Sequence, residues 1–91
     1  MLGYYLSTER YDNLSEPFMI FRHRVKEFRH RNGWSQQELG RRLDVSRQTI
    51  ISIESYRYNP SLELGMRISL VFEEPMETLF YFDFPWNNPS P

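Results

Sequence analysis

The side chains of this sequence best placed to do chemistry lie in SRQTIISIESYRY, Ser46 to Tyr58. At helical spacing Gln48, Ser52 and Ser55 share one face, flanked by Thr49 and Ile51, with Arg47 just ahead of them. Ile50, Ile53 and Glu54 share the other face. The outward set is a row of directional hydrogen-bonding groups. Arg can make a bidentate contact to guanine in the DNA major groove, Gln to adenine, and Ser or Thr to either. Arg57 and Tyr58, just beyond, can donate to phosphate oxygens, which fix position without reading sequence. An ordinary amphipathic helix with a solvated polar side has the same composition, so composition leaves both readings open and spacing has to separate them.

Other chemistries find little support. No paired carboxylates sit in an apolar setting, and there is neither a nucleophile–base pair nor a phosphate-binding glycine loop, so an enzyme is not expected. The chain has no cysteine. Disulfides, thiolate catalysis and cysteine zinc sites are thereby excluded, and a cytoplasmic location is compatible. His23 and His30 lie two turns apart on one face, too far for a chelating pair, so neither a metal nor a cofactor is expected. No apolar run approaches the roughly 18 to 20 residues of a membrane span, and the N-terminus does not read as a secretory signal. The net charge of −1 looks wrong for a polyanion binder. Its distribution resolves this: Arg22 to Arg57 holds nine Lys and Arg against four Asp and Glu, a local net of +5, while the flanks carry −6. Such asymmetry concentrates positive potential on one part of the surface.

The elements that must position the reading face can be placed from their caps. Ser35-Gln36-Gln37-Glu38 reads as a capping box: the Ser35 hydroxyl accepts from the Glu38 N–H, and the Glu38 carboxylate reaches back to the Ser35 N–H. A helix then starts at Gln36, with Leu39 and Leu43 inward. Gly40, on the same side, suggests close approach of another helix, because Gly in a helix interior costs roughly 1 kcal/mol relative to Ala. Asp44 breaks the period and tolerates a left-handed backbone. Val45 points inward, and Ser46 caps the next helix.

Around this pair, Phe18-Met19-Ile20-Phe21 reads as a short strand. A helix follows over about Arg22 to Arg31 with Val25 and Phe28 inward, stopped by Asn32-Gly33 and plugged by Trp34. Ser61 caps a fourth helix, Leu62 to about Phe72, with Leu64, Ile68, Val71 and Phe72 inward. Met66 and Leu70 lie off that stripe, and Leu70 on an outer face suggests a partner surface. Pro75 opens a short fifth helix with Met76 and Leu79 facing the core. Alternation in Phe80-Tyr81-Phe82-Asp83-Phe84 puts Phe80, Phe82 and Phe84 on one face of a strand. Residues 1–17 read as an N-terminal extension, 18–84 as the domain and 85–91 as a tail. Met19 reads as a candidate alternative start, which would make residues 1–17 accidental. Ninety-one residues make one domain, whose core is marginal without oligomerisation.

The stretch resembles the helix-turn-helix of the phage repressor and Cro type, the XRE family. The resemblance rests on Gln36, Gly40, the Leu39/Leu43/Val45 core, Ser46-Arg47-Gln48-Thr49-Ile50 and Ile53-Glu54. It runs on into Tyr58-Asn59-Pro60-Ser61-Leu62-Glu63-Leu64, and covers about Ile20 to Phe82. It implies a mainly α fold of five helices beside a small two-stranded antiparallel sheet made by the N- and C-terminal segments. It implies DNA contacts from Gln36, Gln37, Ser46, Arg47, Gln48, Thr49, Ile51, Ser52, Ser55, Arg57 and Tyr58, with the helix 47–55 in the major groove. An ion pair between Arg29 and Glu54 should link the first helix to the recognition helix.

The function implied is a sequence-specific transcriptional regulator, a repressor, bound to an inverted repeat as a homodimer. The interface is expected at Leu70, Phe80, Phe82 and Phe84. The alternative is the antitoxin of a toxin–antitoxin pair, with Met1–Pro17 as the segment for a protein partner. Three positions depart from the family: Asp44 replaces the turn glycine, Ser55-Tyr56 an Asn-Gly, and Glu73 the glycine that ends the fourth helix. The left-handed cap expected at Ser55-Tyr56 is then either missing or strained.

Overall fold

Three serines set the starts of three helices. In this computed structural model, which describes residues 19–84, Ser35, Ser46 and Ser61 each have extended backbone and accept a hydrogen bond from the N–H three residues on, at 3.0, 3.1 and 3.1 Å. Each cap satisfies a donor that the first helical turn leaves unpaired. The element order is β1 (Ile20–His23), α1 (Val25–Arg31), α2 (Gln36–Leu43), α3 (Arg47–Glu54), α4 (Leu62–Phe72), α5 (Met76–Leu79) and β2 (Phe80–Asp83). The two strands form a two-stranded antiparallel sheet. The segments assigned to 1–17 and 85–91, and Phe18, lie outside the described residues.

The helix ends repeat one solution. Asp44, Tyr56 and Glu73 adopt φ of 60°, 63° and 56°. Beyond each, a backbone N–H returns to the carbonyl five residues back: Val45 to Gly40 at 2.9 Å, Arg57 to Ser52 at 2.9 Å and Glu74 to Ser69 at 3.1 Å. This is the Schellman closure, normally built on glycine. At these three ends no glycine supplies it, at a cost of roughly 1–2 kcal/mol per residue for the left-handed backbone, whereas α1 closes on Gly33, φ 70°, with the Trp34 N–H on the Arg29 carbonyl at 3.1 Å. The cap at Ser55-Tyr56 is therefore present, with Tyr56 as its left-handed residue.

Three expectations need correction. The capping box at Ser35 is half formed: Glu38 instead takes Arg41 at 2.6 Å and Arg42 at 2.8 Å, since pairing with two cations one turn on competes with reaching back to the cap. Gly40 admits backbone rather than another helix. A Cβ there would lie 2.8 Å from the Val45 carbonyl oxygen, so the missing side chain lets the turn fold tightly onto α2. The first helix begins at Val25, not Arg22, because residues 20–23 are taken by the strand and the Arg24 N–H goes to the Leu79 carbonyl at 2.9 Å.

Within residues 23–81 the core is Val25 and Phe28 of α1, Leu39 and Leu43 of α2, Ile50 and Ile53 of α3, Leu64, Ile68 and Phe72 of α4, and Leu79 of α5. Trp34, Val45, Val71 and Phe80 pack against it. Trp34 stacks on Phe72 at 5.7 Å and carries the Arg42 guanidinium on its ring at 4.0 Å. In the second unit, which joins residues 19–22 with 82–84, Phe21 and Phe82 meet edge to face at 5.9 Å. The expected common face of Phe80, Phe82 and Phe84 is not uniform in burial. Phe80 is half-buried on the core, Phe82 is exposed and Phe84 is half-buried.

Candidate nucleic-acid interface

Helix α3 buries Ile50 and Ile53 and leaves Arg47, Gln48 and, in the following loop, Ser55, Arg57 and Tyr58 exposed, with Thr49, Ile51 and Ser52 half-exposed. Arg47 and Gln48 sit in the first turn. Ser46 and Thr49 are partly committed: their hydroxyls lie 3.0 Å apart and Ser46 caps the helix. Ser55 donates to the Ser52 carbonyl at 3.3 Å.

The helix is pinned by the Arg29–Glu54 pair. Arg29 Nε meets Glu54 Oε2 at 2.6 Å and Nη2 meets Oε1 at 3.0 Å, a bidentate fork. The third guanidinium nitrogen donates to the Trp34 carbonyl at 2.9 Å, and Gln36 Nε2 donates to Glu54 Oε1 at 3.2 Å. Arg29 is 7 % exposed. One buried cation therefore joins α1, the loop before α2 and the last turn of α3, and Gln36 at the head of α2 completes the network. Burial raises the Glu54 carboxyl pKa, but the hydrogen bonds from Arg29 and Gln36 outweigh it and hold the group below the ordinary carboxylate range. The Gln36 amide, expected on DNA, is turned toward this pair.

Most arginines of the basic segment are held in ion pairs, two to one carboxylate at both Glu27 and Glu38. Arg24 and Arg31 pair with Glu27, both at 2.7 Å, and Arg41 and Arg42 with Glu38. Among the described residues Lys26, Arg47 and Arg57 make no ion pair, and they bracket α3. Lys26 and Arg47 line an open groove of about 620 Å³ together with Arg29, His30, Ser35, Gln36 and Gln37. Arg57 stands just past the other end of the helix. Lys26 and His30 were missed by the sequence reading. Their four-residue spacing on the first helix was the available signal, masked by the pairing of their neighbours Glu27 and Arg31.

An exposed polar helix held by a buried ion pair across a tight turn, with unneutralised cations at both ends, defines a helix-turn-helix DNA-binding domain. The chain belongs to the helix-turn-helix family HTH_3, the XRE/Cro type, whose model matches residues 25–79. It is 45 % identical over 62 residues, 68 % of this chain and 89 % of the relative, to an uncharacterized HTH-type transcriptional regulator of Archaeoglobus fulgidus. It is 42 % identical, over 68 % of this chain and 94 % of the relative, to the uncharacterized HTH-type transcriptional regulator YgzD of Bacillus subtilis. A third relative, MJ0272 of Methanocaldococcus jannaschii, described in the same words, is 37 % identical over 68 % of this chain and 94 % of its own length. The chain is a helix-turn-helix DNA-binding transcriptional regulator. Among the described residues no helix is long and apolar enough to cross a membrane.

Proposed function

We propose that this protein is a cytoplasmic repressor that binds an inverted-repeat operator as a homodimer, with α3 in the major groove of each half-site. The observation that carries this reading is the placement of Lys26, Arg47 and Arg57. Lys26 and Arg47 lie toward the start of α3 and Arg57 just past its end, and among the described residues none of the three is held in an ion pair. Phosphate contacts from Lys26 and Arg57 at those ends fix the register of α3, and Gln48 with Arg47 meets base edges between them.

Mutant binding curves test it. Arg57→Ala and Lys26→Ala weaken all duplex sequences alike, and each reduces the slope of log affinity against log salt by about 1. Gln48→Ala instead costs about 1 to 3 kcal/mol at one or two positions per half-site. Unchanged base preference in Gln48→Ala across a series of altered operators would place the reading face elsewhere.

A further inference from the structure

Tyr56 stands in the left-handed region at φ 63° without being glycine, and its side chain is held. The ring stacks on His23, centroids 4.4 Å apart at 22°. The Tyr56 hydroxyl donates to the His23 carbonyl at 3.2 Å and accepts from the His23 N–H at 3.1 Å. The imidazole itself reaches α3: Nε2 lies 3.1 Å from the Ile53 carbonyl, which can only accept, so Nε2 carries the proton. Nδ1 faces the Val25 N–H at 3.5 Å, a donor, and so must offer a lone pair. Both positions fit the neutral ring alone. A second proton would set N–H against N–H at Val25.

Among the described residues the charged and titratable neighbours include Glu54 on α3, the stacked Tyr56 and the adjoining Arg24, which is paired with Glu27 of α1. From β2 the ring meets the uncharged Phe80 edge at 6.2 Å. Burial pushes the imidazole pKa below its ordinary value of 6.5, against smaller upward pulls from the Ile53 carbonyl and Glu54. Tyr56 leads directly into Arg57 and Tyr58, the backbone-contacting loop.

We propose that neutral His23, acting through Tyr56, is a positioning residue for the Arg57-Tyr58 loop, so that protonating this one imidazole releases the loop and weakens contact with DNA phosphates. The inference rests on the DNA-binding reading above. The sense is unusual, because protonation of a protein ordinarily strengthens its hold on a polyanion. His30, the chain's other histidine, lines the basic groove.

The test removes the other histidine first. Full-length His30→Gln protein is titrated with a mixed-sequence DNA duplex by fluorescence anisotropy from about pH 8 to about pH 5.5, across the ordinary histidine range. Affinity falls several-fold with acid, with a slope no steeper than about tenfold per pH unit, one linked proton. Adding His23→Gln, whose amide keeps a donor for the Ile53 carbonyl but does not titrate, flattens the profile at the high-pH affinity. Adding Tyr56→Gly, which suits the left-handed backbone but removes the clasp, flattens it at the low-pH affinity while the domain stays folded by circular dichroism. Acid-independent binding by His30→Gln, or a slope that survives His23→Gln, overturns the proposal.

An NMR arm needs no DNA and no variant. In the wild-type protein the Arg57 and Tyr58 amide shifts follow the midpoint of the His23 ring; amides that ignore it overturn the clasp even if a variant fails to fold. A protein that binds DNA at no pH would instead refute the DNA-binding reading, leaving the NMR result to judge the clasp alone.

Discussion

Glu73 shows how a single residue can carry strain in exchange for nothing visible. Its φ of 56° closes α4 through the Glu74-to-Ser69 bond, a geometry glycine adopts freely. No ion pair within the described residues holds Glu73 there, whereas Tyr56 in the same conformation is clasped by His23. Glu73→Gly should therefore raise stability by about 1 kcal/mol, read as a higher urea midpoint at unchanged slope; a lower midpoint would mean that the strain is already relieved by some other contact. The departures from glycine at 44, 56 and 73 were plain in the sequence. Their outcome was not, because whether a non-glycine residue accepts a left-handed backbone depends on the hydrogen bonds closing around it. The neutral clasp at His23 was illegible for a similar reason: thirty-three residues separate it from Tyr56, and no periodicity links a strand end to a loop.

At the scale of elements, helix phase was legible and helix limits less so. The caps at Ser35, Ser46 and Ser61, the inward stripes and the tight turn at Asp44 follow from local rules and stand as expected. The start of α1 was misplaced by three residues because strand pairing, a non-local interaction, competes for residues 22–24. The pairing of Arg29 with Glu54 came from family resemblance rather than from any local pattern, and the structure makes it the bolt between α1 and α3. Arg29→Ala or Glu54→Ala alone should cost about 3 to 5 kcal/mol, because each strands a buried charge. The double mutant should show an interaction term of about 0.5 to 3 kcal/mol in unfolding free energy. Strict additivity would contradict the bolt. Glu54 also sets an acid response. Its folded pKa lies below the ordinary 4.5, so its contribution is complete above that value and is lost as pH falls through the folded one. Glu54→Gln should shrink the acid-induced loss of stability in that window.

At the scale of the molecule, the surface left uncovered argues for a second copy. In the unit of residues 23–81, Leu62, Met66 and Leu70 follow each other at four-residue steps along α4 and are 73, 55 and 76 % exposed; in the other unit, by itself, Phe82 is 53 % exposed on β2. Rows of this kind on two helices interdigitate at about −50°, and an isologous contact buries the same row twice. We expect Leu70→Glu with Phe82→Glu to give a folded monomer by light scattering that keeps weak nonspecific DNA binding and loses operator affinity; a variant that stays dimeric would put the interface elsewhere. The sequence placed the interface at Leu70, Phe80, Phe82 and Phe84 by exposure and alternation, and alternation alone could not see that Phe80 packs against the core. The central claim is that α3, braced at both ends by unneutralised cations, reads DNA sequence twice per dimer. Selection of duplexes by the purified protein from a random pool tests it most directly. The account predicts enrichment of an inverted repeat whose half-sites lie about 34 Å apart, one helical turn, and whose enrichment pattern changes in Gln48→Ala. A pool that binds but shows no enriched sequence, or one enriched identically by Gln48→Ala, would contradict it.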